Sequence, residues 1–267
     1  MPVDPQLIEY LSQFVTDARR RRMEEVLAER TRYLTVALED LYQSHNASAV
    51  LRSCDGLGIQ DVHIVENRNR YQVNPDVALG TSQWLTLRKY GDAGAESDGT
   101  RRPAGAAAGA NARGANARGA NDRAEGSGAA DRSGRAAENT LTAYAELRRA
   151  GYRIVATAPH RGTIDLEDFQ VEEAPTALVF GNELDGLTDT ALENADAFLR
   201  IPMRGFVESF NISVSAALCM HFLIHRLRRS RIDWRLSEGE KQELRLAWLR
   251  QSIRRVEALE EQYRTCT

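Results

Sequence analysis

Residues 206–225 read FVESFNISVSAALCMHFLIH. The second half is apolar enough for a buried helix, yet Glu208, Ser209 and Asn211 gather where that helix begins. Such side chains can satisfy the free N–H groups of a helix start, and they can equally line a polar pocket. Three segments place polar groups or glycines directly after an apolar, strand-like run: ATAPHRG after 152–157, GNELDG after 176–180, and PMRGFVESFN after 198–201. In open α/β sheets, ligands sit outside the carboxyl ends of the strands, in loops that feed helices. These three loops therefore define a candidate binding edge. A fourth segment, SHNASAVLRSCDGLG, carries Asn46 and Arg52 on a stretch with helical spacing.

Several chemistries are excluded. GLG at 56–58 precedes a strand, whereas the dinucleotide fingerprint follows one, and the third glycine is missing. No Walker loop, HExxH or GxSxG occurs. The five histidines (His45, His63, His160, His221 and His225) form no ligand cluster. His221 and His225 are spaced to share a metal, but on an apolar helix they read as core or interface histidines, and no metal is expected. The three cysteines, Cys54, Cys219 and Cys266, are widely separated and lie in no CxxC; Cys54 and Cys219 read as small buried hydrophobes in a reducing compartment. The net charge of −3 leaves room for nucleic acid only on local patches. The N-terminus lacks a signal pattern, and the longest apolar run, 212–223, is too short for a bilayer and is broken by serines. A soluble, cytoplasmic protein with no membrane partner is expected.

The elements that must position these residues follow from periodicity. Residues 5–31 predict an amphipathic helix or helix pair, and 33–41 a strand entering a loop. Asn46 is expected to cap a helix that runs to about Cys54 and stops at Gly56 and Gly58. Strands are expected at 62–66, 84–90, 152–159, 176–180 and 197–203, helices at 138–151, 189–195 and 210–229, and one charged amphipathic helix at 237–264. Residues 91–137, with the near-repeat GANARGANARGANDR, hold nothing apolar larger than alanine or proline and read as a disordered insertion. Alternating strands and helices predict an α/β fold: a mainly parallel sheet with helices on both faces.

The polar segments carry a resemblance. NASAVLRSCDGLG resembles motif 1 of the SpoU family of RNA ribose 2′-O-methyltransferases (N-x-x-A-x-x-R). ALVFGNELDGL resembles motif 2, a strand ending in G-N-E. IPMRGFVESFNISVSAAL resembles motif 3, with Phe210 where leucine is usual. The match runs from about Tyr33 to Leu227, and the flanking helices are similar to those of the TrmH branch, which methylates guanosine 18 in the tRNA D-loop.

The resemblance implies S-adenosylmethionine as methyl donor, tRNA as partner, and a homodimer with a deep trefoil knot threaded through motifs 2 and 3. It implies a methyltransferase domain of 33–90 and 138–229, flanked by helical extensions 1–32 and 230–267. The same fold could instead serve rRNA methylation or a catalytically silent RNA-binding protein. Catalytic roles are implied for Asn46, Arg52, Glu183, Ser209 and Asn211, and cofactor contacts for Thr157, Gly181, Ile201 and Phe210. A guanidinium hardly deprotonates, so Arg52 would hold an RNA phosphate and stabilise the developing oxyanion. On spacing alone Arg52 reads as a helix-surface charge, Glu183 equally as a loop carboxylate, and Asn46 and Asn211 as caps. RNA binding would use Arg19, Arg20, Arg21 and Arg22, together with Arg226, Arg228, Arg229, Arg231 and Arg235, each of which reads equally as a solvated helix face.

Overall fold

The apolar runs LTVALE and TALVF, buried at every position, lie side by side at the centre of a parallel sheet. A computed structural model describes residues 3–71, 80–91, 128–158 and 162–266. Its strands are β1 (Leu34–Glu39), β2 (Asp61–Val65), β3 (Thr86–Tyr90), β4 (Arg153–Thr157), β5 (Ile164–Asp165), β6 (Thr176–Phe180) and β7 (Ala197–Arg200). They form a seven-stranded sheet in the order β3-β2-β1-β6-β4-β7-β5, with every pairing parallel. All the strand exits therefore share one edge. The helices are α1 (Pro5–Ser12), α2 (Asp17–Ala28), α3 (Ser44–Leu57), α4 (Gly128–Arg149), α5 (Asp189–Glu193), α6 (Ile212–Arg229), α7 (Glu238–Ser252) and α8 (Val256–Cys266).

Alternation along β1 and β6 assigns the two faces. Val36, Leu38, Leu178 and Phe180 pack with Leu51 and Cys54 of α3 and with Met220 and Leu223 of α6. Ala37, Ala177 and Val179 point the other way, onto Tyr144 and Leu147 of α4 and Ala191 of α5. Helices thus cover both faces, as the sequence predicts, because a strand buried on both sides must find an apolar partner on each. Cys54 and Cys219 are buried, and burial pushes both thiols up to about 12.

The terminal segments build a separate small core. Ile8, Leu11, Met23 and Leu27 of α1 and α2 pack against Leu244, Trp248 and Leu249 of α7. The expected helix pair at 5–31 is present. The single helix expected at 237–264 is instead two. It breaks after Ser252, with Arg255 in the left-handed region at φ 57°. The break lets Ile253, Val256 and Leu259 turn onto the same core, and an Arg250–Glu260 pair at 2.6 Å spans it.

Other boundaries also differ from expectation; the strand expected at 84–90 begins only at Thr86, and that expected at 197–203 ends at Arg200. α4 begins at Gly128, so residues 128–137 are helical rather than part of a structureless insertion; 92–127 lie outside the described residues. α3 continues through Gly56 and stops only at Gly58, which takes φ +83° as its left-handed cap. Asn46 does not cap α3. Gln43 is the N-cap residue, and Asn46 sits in the first turn with its side chain committed elsewhere. His221 and His225 are exposed, with rings stacked at 6.4 Å, which removes the core reading of this pair.

His63 on β2 makes the fold sensitive to acid. The Tyr90 hydroxyl donates to Glu146 at 2.8 Å, so it accepts from His63 Nδ1, 2.9 Å away. Burial, helped by the Arg88 charge opposite on β3, drives the imidazole down to about 3. Between that value and the unfolded value near 6.5 the unfolded chain binds the extra proton, so this contribution is lost as pH falls. Wild type should lose about 2 kcal/mol more stability than His63→Asn between pH 7 and 5, read by urea denaturation. Equal losses would remove His63 as the cause.

Candidate active site at the carboxyl edge of the sheet

At the exit of β1 the chain is held by two buried carboxylates. Glu39 accepts from the Thr140 hydroxyl at 2.6 Å and from the Thr188 amide and hydroxyl at 2.9 and 2.8 Å. Asp40 follows at φ 54°, a rare conformation for a residue with a side chain. The turn it makes delivers Tyr42, Gln43 and the first turn of α3 to the edge where β6 also ends.

There the structure brings three of the sequence-predicted residues together. Asn46 is 3% exposed, and its Nδ2 donates to Glu183 Oε1 at 2.7 Å and to Gln43 Oε1 at 3.2 Å. Asn211 Nδ2 donates to Asn46 Oδ1 at 3.3 Å. The second Glu183 oxygen accepts from the Tyr42 amide at 3.3 Å. Asn211 also caps α6, its Oδ1 accepting from the Ser213 amide at 2.9 Å and hydroxyl at 2.6 Å. A carboxylate–amide–amide chain therefore links the starts of α3 and α6 to the exit of β6. A cap would need Asn46 Oδ1 to accept a backbone N–H two or three residues on; here that oxygen accepts from Asn211, and the helix has already begun at Ser44.

The β6 exit is a tight loop. Asn182 Oδ1 accepts from the Leu184 and Asp185 amides at 2.8 and 2.7 Å, and the Asn182 and Gly186 backbones exchange hydrogen bonds. Gly181 is buried beneath this turn. A Cβ there would overlap the backbone of Gly186 and Leu187, closer than real Cβ atoms come.

Arg52 and Ser209 stay outside the hydrogen-bonded cluster. Arg52 lies about 9 Å beyond Asn46 along α3. It is exposed and pairs with no acid among the described residues. Ser209 is exposed on the segment leading to α6. The four residues assigned to a cofactor line the neighbouring exits. Thr157 Oγ1 donates to Val179 O at 2.8 Å, which ties β4 to β6, and Gly181 forms the tight turn. Ile201 is half-buried against the core, and Phe210 is 41% exposed.

The arginine clusters divide. Arg226 donates to Glu172 at 2.8 Å and to Gln170 at 2.5 Å, and Arg228 and Arg235 lie over the Trp234 ring at 5.3 and 4.5 Å. Arg20 and Arg22 pair with Asp17 and Glu25 on their own helix, and Arg19 lies over Trp84. Arg21, Arg229 and Arg231 are exposed with no acid partner among the described residues. Sequence reasoning passed over Asp40, Tyr42 and Gln43. An acidic residue just past a strand carries no signal of left-handed backbone, and the Tyr42 contribution is a main-chain N–H.

Among the described residues no group of three or more potential ligands could hold a metal, and no helix is long and apolar enough to cross a membrane. Residues 115–221 match the profile of the SpoU rRNA Methylase family. The chain is 39% identical over 250 residues to the tRNA (guanosine(18)-2'-O)-methyltransferase of Borreliella burgdorferi, covering 94% of this chain and 93% of that one. It is 30% identical over 205 residues to the enzyme of the same name from Thermus thermophilus, covering 77% and 81% of the two chains. The fold is similar to that of the TrmH/SpoU tRNA modifying enzyme of A. aeolicus. The TM-score is 0.64 at 22% identity, over 90% of this chain and 98% of that one.

Proposed function

The chain belongs to the SpoU methylase family, and from that premise we propose that it transfers a methyl group from S-adenosylmethionine to a ribose 2′-hydroxyl of tRNA, that of guanosine 18 in the D-loop. The near-full-length likeness to relatives named for that reaction carries the reading. The Asn46–Glu183–Asn211 cluster gives it a place, at the edge where such sheets bind ligands.

The residues fit this donor. Residues 201–210 make no backbone–backbone hydrogen bonds among the described residues, so their N–H and C=O groups are available to a purine and an amino acid moiety. Phe206 and Phe210 supply exposed apolar surface beside them. We assign donor binding to the exits of β4, β6 and β7, through Thr157, Gly181, Ile201 and Phe210. The donor brings a methyl group already activated on a sulfonium, so alignment of the acceptor oxygen supplies much of the acceleration. Glu183 and Asn211 hold Asn46, and with it the start of α3, against the β6 exit. Arg52, which has no ion pair among the described residues, holds a phosphate of the acceptor strand and stabilises the oxyanion as the 2′-hydroxyl gives its proton to water; the C–S bond breaks as the O–C bond forms, leaving a neutral thioether. Ser209 and Asn211 line the acceptor side of the pocket.

The working unit in this reading is a homodimer. Supporting it, Val214 and Leu218 form an exposed apolar stripe on α6, continued by His221 and His225 and bordered by Phe206, Val207 and Phe210. The chain is read as knotted, with a threaded segment that includes motifs 2 and 3. The methyltransferase domain is 33–90 with 138–229; the extensions 1–32 and 230–267 join in one satellite core, and 91–137 is an insertion whose end, 128–137, lengthens α4. Arg21, Arg229 and Arg231, exposed and without an acid partner among the described residues, serve the tRNA backbone, and a tRNA substrate suits a cytoplasmic protein.

Incubation with methyl-labelled donor and tRNA should yield one 2′-O-methylguanosine, at position 18 by mass mapping, and a transcript with deoxyguanosine at that position should accept no label. Label on rRNA instead would favour the rRNA reading. Absence of donor binding by calorimetry would favour a silent RNA-binding protein.

A further inference from the structure

The loop leaving β2, residues 66–71, is held more firmly than its exposure requires. Asp40, itself in the left-handed conformation and 3% exposed, accepts from the Arg68 and Asn69 amides at 2.7 Å each. Asn69 Nδ2 returns a bond to Asp40 O at 3.1 Å. Glu66 Oε1 accepts from the Tyr71 amide at 2.8 Å, and the Asn139 side chain of α4 donates to Glu66 O at 2.9 Å. Asn67 reaches the Thr140 hydroxyl at 3.3 Å. In the sequence ENRNR the asparagines are half-buried and turn into this network, while Arg68 and Arg70 project into solvent.

Asp40, kept in a rare conformation, holds this loop through its carboxylate and carbonyl oxygens, which marks a segment whose exact placement matters. Here the placement is informative. The loop stands at the same sheet edge as Glu183, on the β1–β2 side, whereas the donor loops after β4 and β7 stand on the other side of β6. A polymeric acceptor reaching the cluster must come over the side the donor leaves open. Arg68 meets Asp185 at 3.3 Å, with both side chains about 70% exposed (73% and 69%), and such a pair is weak enough to exchange for a phosphate. Arg70 pairs with no acid among the described residues.

We propose that the β2-exit loop is an RNA-contacting surface of the active site, with Arg68 and Arg70 gripping backbone phosphates of the strand that carries the acceptor ribose, and Asp40 fixing the loop for that task. The proposal rests on the functional reading above. Guanidinium groups on a pre-set backbone suit phosphate better than solvated surface charges do, because less freedom is lost on contact.

The test is tRNA binding to the full chain over a salt series, for wild type, Arg68→Ala/Arg70→Ala and Arg68→Lys/Arg70→Lys. The alanine pair should bind roughly tenfold more weakly near physiological salt, with the log–log salt slope shallower by about 2, one per lost phosphate contact. The lysine pair should keep most of the slope, since the charge remains. Calorimetry with the donor reports whether the variants keep a folded site. If wild type binds and methylates tRNA but the alanine pair shows unchanged affinity and slope, the loop proposal is wrong and the functional reading stands. If wild type neither binds nor methylates tRNA, the functional reading fails first and takes this one with it.

Discussion

Arg52→Ala is expected to slow methyl transfer about 10²–10³-fold with donor affinity unchanged, the usual cost of removing one group that stabilises a developing oxyanion. The physical case begins with what Arg52 lacks. It is exposed and has no ion pair among the described residues, while its neighbours Leu51 and Cys54 carry the packing of α3. Removing the side chain therefore leaves the core intact, and thermal stability should move little. A guanidinium does not serve as a proton acceptor near neutral pH, so the loss should appear as a lower rate at every pH and not as a shifted profile. Arg52→Lys keeps a charge but not the planar fork, and should recover only part of the rate. Single-turnover methylation of tRNA with saturating donor measures this directly. A near-normal rate for Arg52→Ala would remove the residue from the chemistry.

Gly181→Ala should act on the opposite partner. The added methyl meets main-chain atoms of Gly186 and Leu187, which cannot rotate away as a side chain would. The β6-exit turn must then open, and Glu183, two residues on, moves with it. Donor affinity should fall by at least about 100-fold by calorimetry, because backbone groups of this turn are the assigned contacts. Overpacking should also cost about 1–3 kcal/mol in denaturant unfolding. Wild-type donor affinity in this variant would show that the turn is not part of the binding site.

Much of this was legible along the chain. The buried strands announce themselves by unbroken apolar runs, and the alternation of Val36, Ala37 and Leu38 already implies two covered faces. Gly58 marks its helix end through a backbone angle that glycine adopts at low cost. The motif 1, 2 and 3 segments each fall at a strand exit or helix start. Other features were not legible. The first turn of α3 offered Asn46 as a cap, and only the approach of Glu183 and Asn211, 137 and 165 residues away, commits both ends of its side-chain amide elsewhere. The break after Ser252 was not legible either: Leu244, Trp248, Ile253 and Leu259 read as docking points of one helix, and all four reach the same core from two.

The sequence by itself determined the element types, the sheet's buried character, the polar segments that feed the binding edge and, through three motifs in order, the family. These depend on interactions within a few residues, or on pattern, and so are written in one dimension. Only the tertiary structure decided that Asn46, Glu183 and Asn211 form one hydrogen-bonded chain, that Arg52 meets no acid among the described residues, that Asp40 twists to hold the β2-exit loop, and that the two terminal extensions share a core. Each of these depends on which distant backbone fills the space beside a side chain, and that is fixed by the parallel order of the strands rather than by any local preference.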